Sequence, residues 1–328
     1  MRIFRHYAEL PAEVKGGVVA LGNFDGVHCG HQAVIGRALA VAADLGVPSG
    51  VMTFEPHPRA FFNPALANFR LSPFRIKARL IEALGVESLF MQHFDSAFAA
   101  LTAERFVEEV LVAGLGVRHV VVGYDYVFGK GRQGDPQLLR DMAVRHGFGV
   151  DTVEPVRGEG GVVYSSTRIR EHLAAGRPGE ASRLLGRYWE IEGRVEHGDA
   201  RGRTIGFPTA NLHLGEYLHP ARGVYAVRAG VDRGGETLWM NGVANFGRRP
   251  TFDKTEALLE VHLLDYSGDL YGQHLRVALV DFLRPERKFD GIDALKAQIN
   301  QDAADARRVL EAMNFSGEPG PVVPGPHC

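Results

Sequence analysis

The hydrophobic pattern of this 328-residue chain changes character once, near residue 185, and the change calls for two architectures in series. Before it, short apolar runs alternate with segments whose apolar residues recur at helical spacing. Residues 18–21, 47–54, 86–94, 119–123 and 150–155 read as strands. Residues 32–45 read as a helix, as do a segment from Thr102 through 112 and residues 136–148. Ser72-Pro73 opens a further helix, with serine as N-cap, proline at the first position, and Ile76, Leu80, Ile81 and Leu84 on one stripe. This order implies a parallel sheet with helices on both faces. Helices over 166–175 and 180–185 follow, separated by the breaker Gly176-Arg177-Pro178-Gly179. Beyond them, short alternating stretches dominate: 188–195, 223–231, 238–243, 258–264 and 275–282. Turn residues such as Asp232-Arg233-Gly234-Gly235 separate them, and the spacing predicts an antiparallel barrel closed by a helix from Ile292 to about Met313. The tail over 316–328, rich in glycine and proline, cannot bury apolar area and is expected to stay disordered. The fold class is therefore α/β plus β, with domains expected at 1–185 and 186–315.

Composition narrows the partners. Formal net charge is −2, so no global basic field argues for nucleic acid or an anionic membrane, and any anion site must be local. Cys29 and Cys328 are the two cysteines, too few for a disulfide framework, and the first residues lack the apolar core of a signal peptide. No run approaches the ~20 apolar residues of a membrane span. A cytoplasmic enzyme of small molecules is the expectation, with the oligomeric state left open.

The stretch Gly22-Asn23-Phe24-Asp25-Gly26-Val27-His28-Cys29-Gly30-His31 joins the first strand to the first helix. The opening N–H groups of a helix have no partner within it, and the dipole there favours negative charge. Glycine lets backbone approach a ligand, and two imidazoles add donors for charge growing on a phosphate. The pattern His-x-Gly-His in this setting resembles the nucleotidylyltransferase superfamily, which releases pyrophosphate. Zinc is a poorer reading of His28, Cys29 and His31, because adjacent residues do not easily reach one ion. Cys29, beside a helix N-terminus, is either a reactive thiolate or a buried and inert residue. A Rossmann dehydrogenase is excluded, since no Gly-x-Gly-x-x-Gly follows the first strand.

Further elements fit phosphate and flavin chemistry. Gly123-Tyr124-Asp125-Tyr126-Val127-Phe128-Gly129-Lys130 follows a strand. Ser165-Ser166-Thr167-Arg168 opens a helix with hydroxyls and a guanidinium. In the second half, the loop His197–Arg203 leads into Gly206-Phe207-Pro208-Thr209-Ala210-Asn211. Asn245-Phe246-Gly247-Arg248-Arg249-Pro250-Thr251 and a strand glutamate, Glu260, come later. These paired motif sets resemble the prokaryotic bifunctional riboflavin kinase/FAD synthetase family over roughly residues 15 to 313. The resemblance implies a Rossmann-like nucleotidylyltransferase domain for FMN adenylylation, followed by a flavokinase barrel.

The resemblance also implies roles. Glu260 is the candidate base for phosphorylation of riboflavin, and Thr209 and Asn211 would hold Mg²⁺ and nucleotide phosphates. Arg201 and Arg203 lie in a loop that could fold over bound substrates. His28 and His31 would stabilise the transferring adenylyl phosphate, with the Gly22, Asn23, Phe24, Asp25 and Gly30 backbone around them. Ser166, Thr167 and Arg168 would hold the β- and γ-phosphates. Pro56, His57, Asp125 and Phe128 would shape the flavin and nucleotide pocket, and Phe62 could stack on the flavin. ATP is the co-substrate; FMN and FAD are products. A cytidylyltransferase, or an adenylyltransferase with another acceptor, would not need the barrel. A non-catalytic flavin-binding regulator would be expected to lose catalytic groups that are all present here.

Overall fold

The computed structural model describes residues 1–66, 68–196, 206–233, 236–250 and 255–315. They fall into two compact units. One holds residues 1–66 and 72–164; the other holds 68–71 and the described residues from 165 to 315. The loop with Arg201 and Arg203, and the tail over 316–328, lie outside the described residues.

The first unit runs β1 (Arg2–Phe4), β2 (Val18–Leu21), α1 (Cys29–Leu45), β3 (Ser49–Glu55), α2 (Pro58–Phe62), α3 (Phe74–Ala83), β4 (Ser88–His93), α4 (Ser96–Ala99) and α5 (Ala103–Arg105). A π-helical stretch, Phe106–Leu115, continues α5; then come β5 (His119–Gly123), α6 (Pro136–His146) and β6 (Gly149–Val153). The strands form one sheet in the order β1-β4-β3-β2-β5-β6, every neighbouring pair parallel. All four residues of β2 are buried, and they alternate between two cores as a pleat of period two requires. Val19 and Leu21 pack with Met52, Phe54, Val120 and the π-helical Phe106, Val107 and Val110. Val18 and Ala20 pack with Ile35, Ala38 and Ala42 of α1 and Ile81 of α3. The strand order reverses beside β2, which is where an open α/β sheet leaves a crevice at its carboxyl edge.

Several boundaries depart from the sequence expectation. Helix α1 begins at Cys29 because the His28 ring accepts the His31 N–H and caps it. Ser72 does not cap α3: Pro73 is the N-cap residue and offers no side-chain bond. The buried stripe of α3 includes Lys77, whereas Leu80 and Leu84 are only partly buried. Strand β1 carries no clear sequence signal, and the helix expected from Thr102 through 112 is α-helical over Ala103–Arg105 and π-helical over Phe106–Leu115.

The second unit opens with α7 (Ser166–Ala174) and α8 (Pro178–Leu185). Pro178 and Gly179 start α8 instead of lying in the break before it, since proline suits the first helical turn. Then follow β7 (Trp189–Arg194), β8 (Ala210–His213), β9 (Gly223–Asp232), β10 (Thr237–Pro250), β11 (Thr255–Leu263), β12 (His274–Pro285) and α9 (Ile292–Ala312). The order is β7-β12-β9-β10-β11-β8, antiparallel throughout. A bridge between Glu196 and Asn211, with the Glu196 N–H donating to the Asn211 carbonyl at 3.0 Å, brings the two edge strands together and nearly closes the barrel. Helix α9 lays Ala306 and Leu310 against Ala226, Ala278 and Val280. No helix among the described residues is long and apolar enough to cross a membrane.

Residues 68–71 are built into this second unit. Arg70 bridges Tyr217 in parallel register, its carbonyl accepting from Leu218 N–H at 2.8 Å. The Leu71 carbonyl accepts the indole N–H of Trp189 at 2.7 Å, and the Trp189 side chain is buried. Replacing Trp189 by Phe keeps most of the ring and removes that hydrogen bond. The expected loss is about 1–3 kcal/mol, read as a lower urea midpoint for the second unit.

Candidate active sites

The loop between β2 and α1 leaves ordinary backbone space. Phe24, Gly26 and Val27 have φ of +48°, +89° and +40°. Glycine tolerates this; a β-branched valine there costs on the order of 1–3 kcal/mol and persists only when its surroundings over-determine it. The surroundings do so. Gly22 N–H donates to the Met52 carbonyl at 3.2 Å, and Thr53 Oγ1 donates to the Asn23 carbonyl at 3.0 Å. Thr53 in turn accepts from Lys77 Nζ at 3.1 Å, and the same ammonium reaches Glu55 Oε1 at 2.8 Å. Lys77 is fully buried, so this pair is a paired charge inside the unit. Gln32 Nε2 donates to the Val27 carbonyl at 2.9 Å. Asp25, only 2 % exposed, accepts the Ser72 N–H at 3.0 Å. Its carboxylate therefore holds the loop from within.

This loop delivers two imidazoles side by side. The His28 and His31 rings stack with centroids 3.6 Å apart and planes 20° apart, over the first turn of α1. Phe24 meets His31 edge-on at 5.3 Å. Gly30 makes room for the stack: a Cβ there would lie 3.1 Å from His28 Cε1. Cys29 is fully buried at the first position of α1. The structure thus joins two adjacent histidines to an anion-favouring helix end, as the spacing predicts.

Beside the same carboxyl edge the first unit holds a cavity of about 700 Å³. Asn23, Phe54, Phe62, Phe94, Phe98, Phe106, Tyr126 and Phe128 line it, with Arg59 and Arg132 as cationic groups. Burial pushes the Tyr126 phenol well above its ordinary range, so it stays neutral and stacks on Phe128 at 5.6 Å. Phe62 and Phe128 were expected here; Phe94, Phe98, Phe106 and Arg59 were not. Pro56, His57 and Asp125 do not line this cavity. His57 is buried and caps α2 by accepting the Arg59 N–H at 3.1 Å; Pro56 and Asp125 are exposed.

Ser165 caps α7 by accepting the Arg168 N–H at 3.3 Å, leaving Thr167 and Arg168 exposed at the helix start and Ser166 half-buried. The helix belongs to the second unit.

In the barrel, register assembles the other site. Glu260 pairs across the sheet with Asn211 on one side and Asn245 on the other. Directly opposed residues share a face, so the three make a polar row. Asn245 lies two residues beyond Val243, which packs with the α9 core, so the row faces that helix. A second cavity, about 710 Å³, opens there, lined by Thr209 just before β8, by Asn245, Glu260 and His262 from the sheet, and by Ile299, Asp302 and Ala303 from α9. Asp302, buried, takes Arg284 in a two-point pair at 2.8 and 2.7 Å and pins α9 over the cavity. His262 Nδ1 lies 2.8 Å from the Pro208 carbonyl, which fixes the segment carrying Thr209. Asn211 is buried, and its Oδ1 has no hydrogen-bond donor among the described residues. Asn245 was passed over as a site residue; it is visible only once the strand pairing is known.

Comparison with known proteins agrees with both halves. A FAD synthetase model matches residues 10–168 and a riboflavin kinase model residues 185–310. A bifunctional riboflavin kinase/FMN adenylyltransferase of Pseudomonas fluorescens is 44% identical over 308 residues, covering 94% of this chain and 97% of the relative. Its counterpart in Escherichia coli K12 is 43% identical over 307 residues, covering 94% and 96%. A solved structure from Streptococcus pneumoniae, described as a macrolide-efflux protein, is 34% identical with a TM-score of 0.82, covering 96% of this chain and 99% of that one. With two family models in this order and this identity over nearly its whole length, the chain belongs to the bifunctional riboflavin kinase/FMN adenylyltransferase family.

Proposed function

We propose that the family's two reactions are divided between the two cavities: riboflavin is phosphorylated at the barrel, and the resulting FMN is adenylylated at the His28–His31 loop. The observation that carries the first is the row Asn211–Glu260–Asn245 beside Thr209. The observation that carries the second is the pair of stacked imidazoles over a helix N-terminus, in the unit that holds an aromatic cavity of flavin size.

In the barrel, Glu260 takes the proton of the terminal ribityl hydroxyl as that oxygen attacks the γ-phosphorus of ATP, and ADP leaves. Thr209 and Asn211 supply oxygen donors, and the unsatisfied, buried Asn211 Oδ1 is the kind of group a hard cation completes. They fit Mg²⁺, which favours oxygen ligands alongside phosphates and water and would neutralise phosphate charge there. Arg284, held by Asp302, keeps the α9 wall of the cavity in place.

In the first unit, a phosphate oxygen of FMN attacks the α-phosphorus of a second ATP, and pyrophosphate leaves. His28 and His31 donate to the charge that develops, and the N-terminus of α1 adds the helix dipole. The Phe54, Phe98, Phe106 and Phe128 rings offer apolar faces for an isoalloxazine. Arg59 and Arg132, on the same cavity wall, suit the FMN phosphate. We assign Ser166, Thr167 and Arg168 to nucleotide phosphates, and Arg201 and Arg203 to kinase substrates. We place both reactions in the cytoplasm. The efflux role attached to the Streptococcus structure belongs to that protein; nothing in either cavity here favours it.

A chromatographic time course with riboflavin, ATP and Mg²⁺ should show FMN first and FAD second. His31→Ala should cut FAD formation by roughly 10²-fold or more while FMN accumulates. Glu260→Gln should cut FMN formation by about 10²-fold or more and leave FAD formation from supplied FMN unchanged. Asn211→Ala should raise the Mg²⁺ concentration for half-maximal kinase rate roughly tenfold. A flavin that stays bound and unconverted in the wild-type protein would instead favour a binding regulator.

A further inference from the structure

We propose that Ser72 is a positioning residue for adenylyl transfer, acting on His28 through the loop that precedes it; the proposal rests on the assignment of that reaction to the His28–His31 loop. Ser72 is 1 % exposed and far from the loop in sequence, yet it is the loop's fastening on the α3 side. Its Oγ accepts the Gly26 N–H at 2.7 Å. Its own N–H donates to Asp25 Oδ1 at 3.0 Å, and its hydroxyl lies 3.4 Å from the same oxygen. The hydroxyl thus serves as acceptor and donor at once, between a backbone amide and a carboxylate.

The placement runs against a local rule. Serine directly before Pro73 and α3 is well suited to cap that helix, and α3 has no side-chain cap. The hydroxyl has been turned to the loop instead. Such a local inconsistency is expected where a site must be held in an unusual shape. The shape is unusual here: Gly26 lies between Asp25 and the left-handed Val27, and His28 comes next. Val27 is fixed beyond its carbonyl by Gln32, and the His28 ring is fixed by the His31 amide. Ser72 adds a bond at Gly26, between Asp25 and the left-handed Val27. Without it, backbone rotation at Asp25 and Gly26 moves the peptide leading into His28. In-line transfer tolerates little of this, since a misplacement of about 1 Å can cost roughly 10²-fold in rate.

The test is Ser72→Ala, with FAD formation measured from supplied FMN and ATP, and FMN formation measured separately from riboflavin. The expected result is a kcat for FAD formation lower by roughly tenfold or more, with KM for FMN and ATP within about threefold of wild type. Retained KM values show that the first unit still folds and binds, and FMN formation should be unchanged. The proposal is overturned if FAD forms at the wild-type rate. It is also overturned if the loss lies in KM, or if both activities fall together. Wild-type protein that makes no FAD would sink the assignment of the His28–His31 loop itself, a result distinct from the other three.

Discussion

The adenylyl half of the molecule depends on a strained turn that cannot hold itself. Three of the four positions from 24 to 27, namely Phe24, Gly26 and Val27, have positive φ, and nothing intrinsic to those residues makes that favourable as a set. What holds the turn is a set of hydrogen bonds from Gln32 on the helix that follows it and from elements distant in sequence: Met52 and Thr53 on β3, and Ser72 before α3. Behind them stands Lys77, a buried cation whose two partners, Thr53 and Glu55, lie on the strand that also anchors the turn. The sheet's reversal of strand order opens the crevice; these bonds decide what the crevice presents.

The barrel solves a related problem by different means. A row of two asparagines and a glutamate on the α9-facing side of the sheet would be costly if it simply packed against apolar residues. Asn245 and Glu260 lie instead along a cavity roofed by α9, and the roof is secured by the Arg284–Asp302 pair. The asparagines flank Glu260 through strand pairing and need no rotamer coincidence to do so. A sheet is a good device for this purpose, since register alone fixes which side chains are neighbours.

How much of this was legible depends on how local the cause is. The parallel sheet, the helix after the first strand and the barrel's main strands follow from periodicity, which each segment carries within itself. His28 and His31 were readable because four residues encode both the turn and the pair. Glu260 and Thr209 were readable through the resemblance, while Asn245 needed the pairing of β10 with β11. The aromatic cavity draws Phe54, Phe94, Phe98, Phe106 and Phe128 from five places along the chain, and no window contains its shape. Ser72 was misread for the same reason: its commonest local role is a helix cap, and it bonds Asp25 and Gly26 instead. Strands β1 and β8, of three and four residues, are too short to show alternation.

The course of the chain at residues 68–71 bears on how such a protein can be taken apart. These residues follow α2 of the first unit in sequence, yet their backbone partners are Glu216, Leu218 and Trp189 of the second. No single cut therefore separates the two units cleanly. A fragment ending at 164 keeps Arg70 and Leu71 but strips them of those partners, exposing unpaired strand groups of the sort that seek another chain. The barrel expressed alone loses that short strand and with it the acceptor for a buried indole. Sequence order and fold order therefore part company at residues 68–71, which are translated with the first unit and folded with the second.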